Sequence, residues 1–151
     1  MSQSLVQVYL HIVYSTKHRE PFLHDPATHE RMRAYLGGVC RNLNSPALVI
    51  GGVADHVHLL CRQSKNITIP DLLAEMKRAS STGIKELVPA LAAFHWQGGY
   101  GAFSVSASHV PPLTQYILGQ EEHHRYVSFQ EEFRELCRKN GVEIDERYVW
   151  D

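Results

Sequence analysis

The run Val53-Ala54-Asp55-His56-Val57-His58-Leu59-Leu60-Cys61 sets two histidines two residues apart among apolar, strand-compatible neighbours. In a strand, residues i and i+2 project from the same face, so His56 and His58 stand side by side while Val57 points away. Adjacent neutral imidazoles can ligate a divalent metal or carry protons. They can equally be packing histidines, one hydrogen-bonded in the core and the other solvated. What else the chain brings to that face decides between these readings.

A second group of chemically capable residues lies further along, at Tyr116, Gln120, His123 and His124. On a helix Tyr116 and Gln120 are spaced i, i+4 and sit one above the other, with His123 continuing the face and His124 beside it. Tyr116 offers a nucleophilic oxygen and Gln120 a neutral carbonyl ligand. Two imidazoles and one amide oxygen leave positions open on a divalent ion, as a catalytic metal requires, and a phosphate oxygen of a substrate could fill one. A nearby cation would also help the phenol ionise from its ordinary pKa of about 10. Each residue has a plainer role available. Tyr116 can pack at the core edge, Gln120 can be solvated, and His123-His124 can belong to a polar face with Glu121, Glu122 and Arg125. Gly119 costs a helix interior up to about 1 kcal/mol relative to alanine, so it serves either close packing or a shift of the tyrosine segment.

The elements that must position these groups follow from periodicity. Leu5 to Tyr14 alternates, with Val6, Val8, Leu10, Ile12 and Tyr14 on one face and Leu5, Gln7, Tyr9, His11 and Val13 on the other. Asp25-Pro26 gives an N-cap and a proline at the first helical position, opening a helix that carries Met32, Tyr35, Leu36 and Val39 and ends near Asn44-Ser45-Pro46. Ala47 to Val53 is a second strand, with a bend or bulge expected at Gly51-Gly52, and His56 to Arg62 a third. A helix from about Pro70 to Leu87 buries Leu72, Leu73, Met76, Ile84 and Leu87 and keeps Lys77, Arg78 and Lys85 off that stripe. Phe94-His95-Trp96 starts an extended segment that Gly98-Gly99-Tyr100-Gly101 interrupts and Phe103-Ser104-Val105-Ser106 resumes. Pro111-Pro112 opens a helix running through Tyr116 and Gln120 towards Arg125, and Ser128-Phe129-Gln130-Glu131 is a capping box for a last helix closed by Asn140-Gly141. This order predicts one α+β domain over residues 1–151: a ferredoxin-like split βαβ unit with a mostly antiparallel sheet, followed by a helical C-terminal segment carrying the tyrosine. The first and third strands are then central neighbours. The histidines occupy the face that the two crossover helices leave open.

Bulk properties narrow the function classes. The chain has 151 residues, 44% apolar and 21% charged, as expected of a single soluble domain. No segment approaches the roughly 18 apolar residues of a membrane span, and Met1-Ser2-Gln3-Ser4 does not open a signal peptide. Cys40, Cys61 and Cys137 are widely spaced and odd in number, which reads as reduced packing residues in a cytoplasmic protein. A net charge of −1 argues against gripping long duplex by electrostatics alone, while ten histidines add weight to metal or phosphate chemistry.

Taken together, the H-x-H strand and the later Tyr-x-x-x-Gln-x-x-His-His resemble the single-tyrosine HUH transposases of bacterial insertion sequences, the IS200-like group. The likeness extends to Val8–Lys17 at the opening strand, Gly52–Leu60 at the histidine strand, Trp96–Val105, Tyr116–Phe133, and the ending Asp145–Asp151. The resemblance implies that His56 and His58 bind Mg²⁺ or Mn²⁺ with Gln120 as third ligand. It implies that Tyr116 attacks a single-stranded DNA phosphodiester, giving a 5′-phosphotyrosine and a free 3′-OH. It also implies a homodimer that recognises hairpins near element ends, with the tyrosine helix docked in cis or in trans. Gly119 departs from the family, whose members often carry Asn there. A domesticated relative that only binds hairpin DNA, a replication initiator or relaxase, and a small metal hydrolase are the competing readings. For contact with DNA the sequence offers Lys17 and Arg19 (with His18) after the first strand, Lys77, Arg78 and Lys85 on the second helix, and Tyr100 for stacking. Trp96 and Phe103 could also stack, but suit core packing better.

Overall fold

In the computed structural model, which describes residues 2–151, four strands form one fully antiparallel sheet in the order β2-β3-β1-β4. The elements run β1 (Tyr9–Ser15), α1 (Pro26–Asn42), β2 (Ala47–Val53), β3 (His56–Arg62), α2 (Ile69–Leu87), β4 (Gly101–Val105), α3 (Val110–Leu118), α4 (Gln120–His123) and α5 (Phe129–Lys139). This is the split βαβ topology, with β1 and β3 in the centre. Local chemistry sets the boundaries. Asp25 caps α1 by accepting from the Thr28 amide at 3.2 Å, Thr68 caps α2 from Asp71 at 3.2 Å, and Ser128 caps α5 from Glu131 at 3.1 Å. Gly141, at φ 68°, ends the last helix in the left-handed region that glycine tolerates. No described helix is long and apolar enough to cross a membrane.

Alternation along the strands creates two different sheet faces. Leu10, Ile12 and Tyr14 of β1 with Val57, Leu59 and Cys61 of β3 join Met32, Leu36, Leu72, Leu73, Met76 and Ile84 of α1 and α2 in the main core. The opposite face carries His11 and Val13 of β1, His56, His58 and Leu60 of β3, and Phe103 of β4. The C-terminal helices cover that face in two patches. α3 packs Leu113 and Ile117 on Leu60, while α5 packs Phe129, Phe133 and Cys137 on Val13 and Phe103. The histidine strand therefore lies beneath the seam between α3 and α5. All three cysteines are buried and unpaired.

Three boundaries differ from the sequence reading. The first strand begins at Tyr9, because residues 2–7 are exposed and pair with no strand, and Val8 adds only one backbone bond, accepting from the Gln63 amide at 2.8 Å. The register irregularity in β2 falls between Ala47 and Val49, not at Gly51-Gly52. These glycines serve close approach instead. A Cβ on Gly51 would lie 2.3 Å from the Ile117 carbonyl, so α3 can rest against β2 only because Gly51 has no side chain. Gly52 adopts φ 145°, and a Cβ there would meet the His56 carbonyl at 2.2 Å. Third, the tyrosine helix does not run unbroken to Arg125: it stops at Leu118, Gly119 is its C-cap, and Gln120 begins a separate short turn of helix.

Candidate active site

Both histidines of β3 are fully buried, and both are held at Nδ1 so that Nε2 faces the seam. His56 Nδ1 lies 2.7 Å from Asp55 Oδ1, in the turn between β2 and β3. His58 Nδ1 lies 2.9 Å from His11 Nε2 on the neighbouring strand. Holding one ring nitrogen by a neighbour orients the imidazole and leaves the other nitrogen for a ligand.

The two Nε2 atoms meet a carboxylate that sequence reasoning passed over, Glu132 of α5, only 3% exposed. Glu132 Oε1 lies 2.8 Å from His58 Nε2, 3.1 Å from His124 Nε2 and 3.4 Å from His56 Nε2. Its other oxygen, Oε2, accepts the Tyr116 hydroxyl and the Gln120 amide at 3.0 Å, with His123 Nε2 at 3.3 Å. Gln120 Oε1 bridges His56 Nε2 at 3.1 Å and His124 Nε2 at 2.8 Å. One carboxylate thus joins the strand histidines to the tyrosine segment, one oxygen for each. The Tyr116 ring lies edge-on to His58, centroids 5.8 Å apart, so the phenol reaches the histidines of its own chain.

Burial and mutual contact shape the charges here. Burial alone would depress His56, but hydrogen bonds and charge from Asp55 and Glu132 raise it to about 9. Burial lowers His58 to about 4, against the pull of Glu132. Burial also lowers His11 to about 3, aided by His58. Glu132, despite burial, is held ionised well below the usual carboxylate range by hydrogen bonds from His124, His56 and His58. The Tyr116 phenol is raised by burial and then by Glu132, so it is held protonated.

The donor set fits a divalent cation. Ligand atoms of His56, His58, His124 and Glu132 all lie within 4.8 Å of one another. Imidazole nitrogens with a carboxylate oxygen suit Mn²⁺ and related ions, and the Gln120 carbonyl adds an oxygen donor. Of the residues expected from sequence, Tyr116, Gln120, His56 and His58 converge. His123 and His124 join them, their Nε2 atoms 3.3 and 3.1 Å from the Glu132 oxygens. Glu132 and His11 were missed, although each carried a signal. Glu132 stands with Phe129, Phe133 and Leu136 at helical spacing on the apolar stripe of α5, and His11 alternates onto the same face as Val13.

The basic residues divide differently. Lys17 and Arg19 lie in a short 3-10 turn directly after β1, at the His56 end of the sheet, with Arg19 5.8 Å from the Trp150 ring centroid. Lys77, Arg78 and Lys85 belong to α2, which packs on the other sheet face. Lys77 donates to the carbonyls of Gln97 at 2.9 Å and Gly99 at 2.6 Å beneath Tyr100, and Arg78 pairs with Glu75. Lys77 thus braces the Gln97–Gly99 segment, while Arg78 and Lys85 lie on the helix that packs on the sheet face away from the site.

The fold and site define a split βαβ domain with an H-x-H strand beneath a tyrosine-bearing helix, and comparison with known proteins shows its family. The IS200-like transposase family matches residues 4–120, and the chain belongs to that family. A protein of Deinococcus radiodurans R1 assigned as a transposase shares the fold with a TM-score of 0.64 at 22% identity, covering 78% of this chain and 95% of its own. A REP-associated tyrosine transposase, solved bound to a REP hairpin, aligns with a TM-score of 0.61 at 12% identity, covering 93% of this chain and 86% of its own. No curated protein matches the sequence.

Proposed function

We propose that this chain cleaves and rejoins single-stranded DNA at insertion-sequence ends through a 5′-phosphotyrosine on Tyr116. The observation that carries the reading is that the Tyr116 phenol and the His56 and His58 imidazoles meet at one buried carboxylate of the same chain. His56 and His58 would hold Mg²⁺ or Mn²⁺ with Gln120, and His124 and Glu132 Oε1 offer further ligand atoms at the same point. When bound, the cation supplies Lewis-acid charge that polarises the phosphate and offsets charge on the leaving oxygen. Tyr116 Oη forms the bond to phosphorus as the bond to the 3′ oxygen breaks. The proton the phenol gives up equals the one the departing 3′ oxygen gains, and Glu132 Oε2, which accepts the Tyr116 hydroxyl, relays it and stays ionised before and after the step. Reversal with a new 3′-OH rejoins strands without an external energy source, because the phosphotyrosine link keeps the phosphoryl bond.

Hairpin-bearing single-stranded DNA is the partner this reading requires, and the fold shared with a hairpin-bound relative supports it. In this reading Lys17 and Arg19, in the turn after β1 at the His56 end of the sheet, contact the DNA backbone. The reading includes a homodimer, measurable by light scattering on the full chain. The direct test is to incubate wild type and Tyr116→Phe with labelled hairpin DNA and Mn²⁺ and resolve the products on denaturing gels. Wild type should give a covalent adduct that the variant does not. Cleavage without any adduct, or equal adduct from the variant, would refute the tyrosine mechanism.

A further inference from the structure

A cleft outside the α3–α5 seam lies at the end of the sheet where β2 turns into β3. It has a volume of ≈ 330 Å³ and is walled by His29 and Arg33 of α1, by Gly52–Ala54 where the edge strand β2 ends, and by Glu121 of α4. That is the low end of ligand pockets, with room for one sugar-phosphate unit. The cleft and the candidate active site share a wall. Asp55, next in the turn after Ala54, holds His56 Nδ1, and Gln120, the residue before Glu121, bridges His56 and His124.

Two groups of this cleft lack the partners their chemistry calls for. Arg33 is partly buried and takes part in none of the ion pairs among the described residues, although Glu30 stands one turn before it on α1. His29 is 7% exposed, and its Nε2 makes no hydrogen bond. A buried polar atom without a partner is uncommon in a folded protein and calls for an explanation. Burial, and then the charge of Arg33, lower His29 to about 4 against the pull of the Val53 carbonyl. The cleft therefore sets a guanidinium beside a neutral imidazole, which still has one N–H to give.

The nearby carboxylates do not satisfy them. Glu121 is exposed at the rim and enters no ion pair among the described residues, and Asp55 is engaged by His56. His24, also at the rim, donates its Nδ1 proton to the Pro21 carbonyl at 3.1 Å. An oxyanion suits this arrangement, since the guanidinium fork pairs with two oxygens and the imidazole can donate to a third. A metal cation would be repelled by Arg33, and a neutral ligand would leave its charge uncompensated.

We propose that this cleft is an oxyanion pocket that seats a backbone phosphate of single-stranded DNA beside the phosphate that Tyr116 attacks, with Arg33 as the principal contact and His29 as the second donor. The proposal rests on the reading of Tyr116 as a DNA nucleophile, since a strand that reacts over His56 passes the shared wall. In the sheet His56 lies between Val53 of β2 and Ser15 of β1. The pocket is on the β2 side and the Lys17–Arg19 turn on the β1 side, so the strand is held on both sides of His56.

The test uses the full chain in a Tyr116→Phe background, so that only binding is read, with a labelled DNA hairpin carrying a single-stranded tail and anisotropy as the readout. Adding Arg33→Gln should weaken binding about tenfold and make the log–log salt slope shallower by about 0.7, the share of one single-strand phosphate. Tail phosphates are then replaced one at a time by uncharged methylphosphonates. One linkage should cost the parent about tenfold and cost Arg33→Gln nothing further. Glu121→Gln, which removes the rim carboxylate, should tighten binding about twofold at low salt, a gain that the methylphosphonate at that linkage abolishes. If circular dichroism shows that Arg33→Gln does not fold, this second variant decides, and no gain overturns the proposal. A folded Arg33→Gln for which every linkage keeps its parental effect also overturns it. Inorganic phosphate is the second probe, followed through the His29 imidazole resonances by NMR. If it shifts them while the methylphosphonate scan is flat, the pocket serves a free oxyanion and the DNA assignment is overturned. If wild type still forms the covalent adduct in those cases, the tyrosine mechanism stands and only the phosphate pocket fails. If wild type forms no adduct, the underlying reading fails with it.

Discussion

Replacing Glu132 with Gln tests the organisation of the site most sharply, because the change keeps the shape and removes the charge. In the native chain this carboxylate accepts from Tyr116, Gln120, His58 and His124, all within a buried cluster. A glutamine has one acceptor oxygen and must turn an amide donor towards groups that are themselves donors. Removing one partner from a buried charged network costs about 3–5 kcal/mol, and the retained acceptor brings the expected loss to about 3 kcal/mol. For a domain of this size that lowers Tm by about 6–12 °C, read by calorimetry in the presence of EDTA. The pH dependence carries the sign. Glu132 is depressed on folding, so its contribution is present above the ordinary carboxylate pKa and lost as pH falls through its folded value. His56 is raised to about 9, so its contribution is complete below its unfolded value of 6.5 and lost as pH rises through 9. The deficit of Glu132→Gln is therefore largest at about pH 5 to 6.5 and shrinks towards pH 9. A Tm within 2 °C of wild type at about pH 6, or a deficit independent of pH, would refute the idea that this carboxylate neutralises the imidazole cluster.

Three further outcomes follow from particular contacts. His11→Leu removes the partner of His58 Nδ1 and should weaken Co²⁺ or Mn²⁺ binding about 10- to 100-fold in titration calorimetry, and unchanged affinity would show that His58 is oriented without it. Gly51→Ala places a methyl 2.3 Å from the Ile117 carbonyl, so α3 must lift from β2. The expected loss is about 1–3 kcal/mol in urea melts, together with reduced adduct formation. The Lys17→Ala/Arg19→Ala double variant should make the salt dependence of single-stranded DNA binding shallower by about 1.4 in log–log slope, whereas Lys85→Ala on the opposite face should leave it unchanged.

Much of the architecture was legible in the linear chain because it depends on local chemistry. Ala47–Val53 and His56–Arg62 are strand-compatible runs bounded by turn residues, caps at Asp25 and Ser128 start helices where their side chains reach an amide, and Gly141 ends one. The element order then leaves few ways to arrange the sheet, and His56 and His58 fall on the face that the crossover helices do not cover. Tyr116 and Gln120 were readable because helical spacing and family resemblance both single them out.

What the sequence could not decide is what fills the seam. Glu132 and His11 reach His58 from 74 and 47 residues away, contacts that exist only once the sheet pairs and α5 docks. A carboxylate on a helix is solvated by default, and only burial opposite three imidazoles makes it the counter-charge of the site. Gly51 reads as a bend until α3 is seen resting on it. The local code thus determined the parts and the face on which they would act. The tertiary structure decided which groups share a charge, because burial and distance, unlike secondary structure, are properties of the whole packed chain.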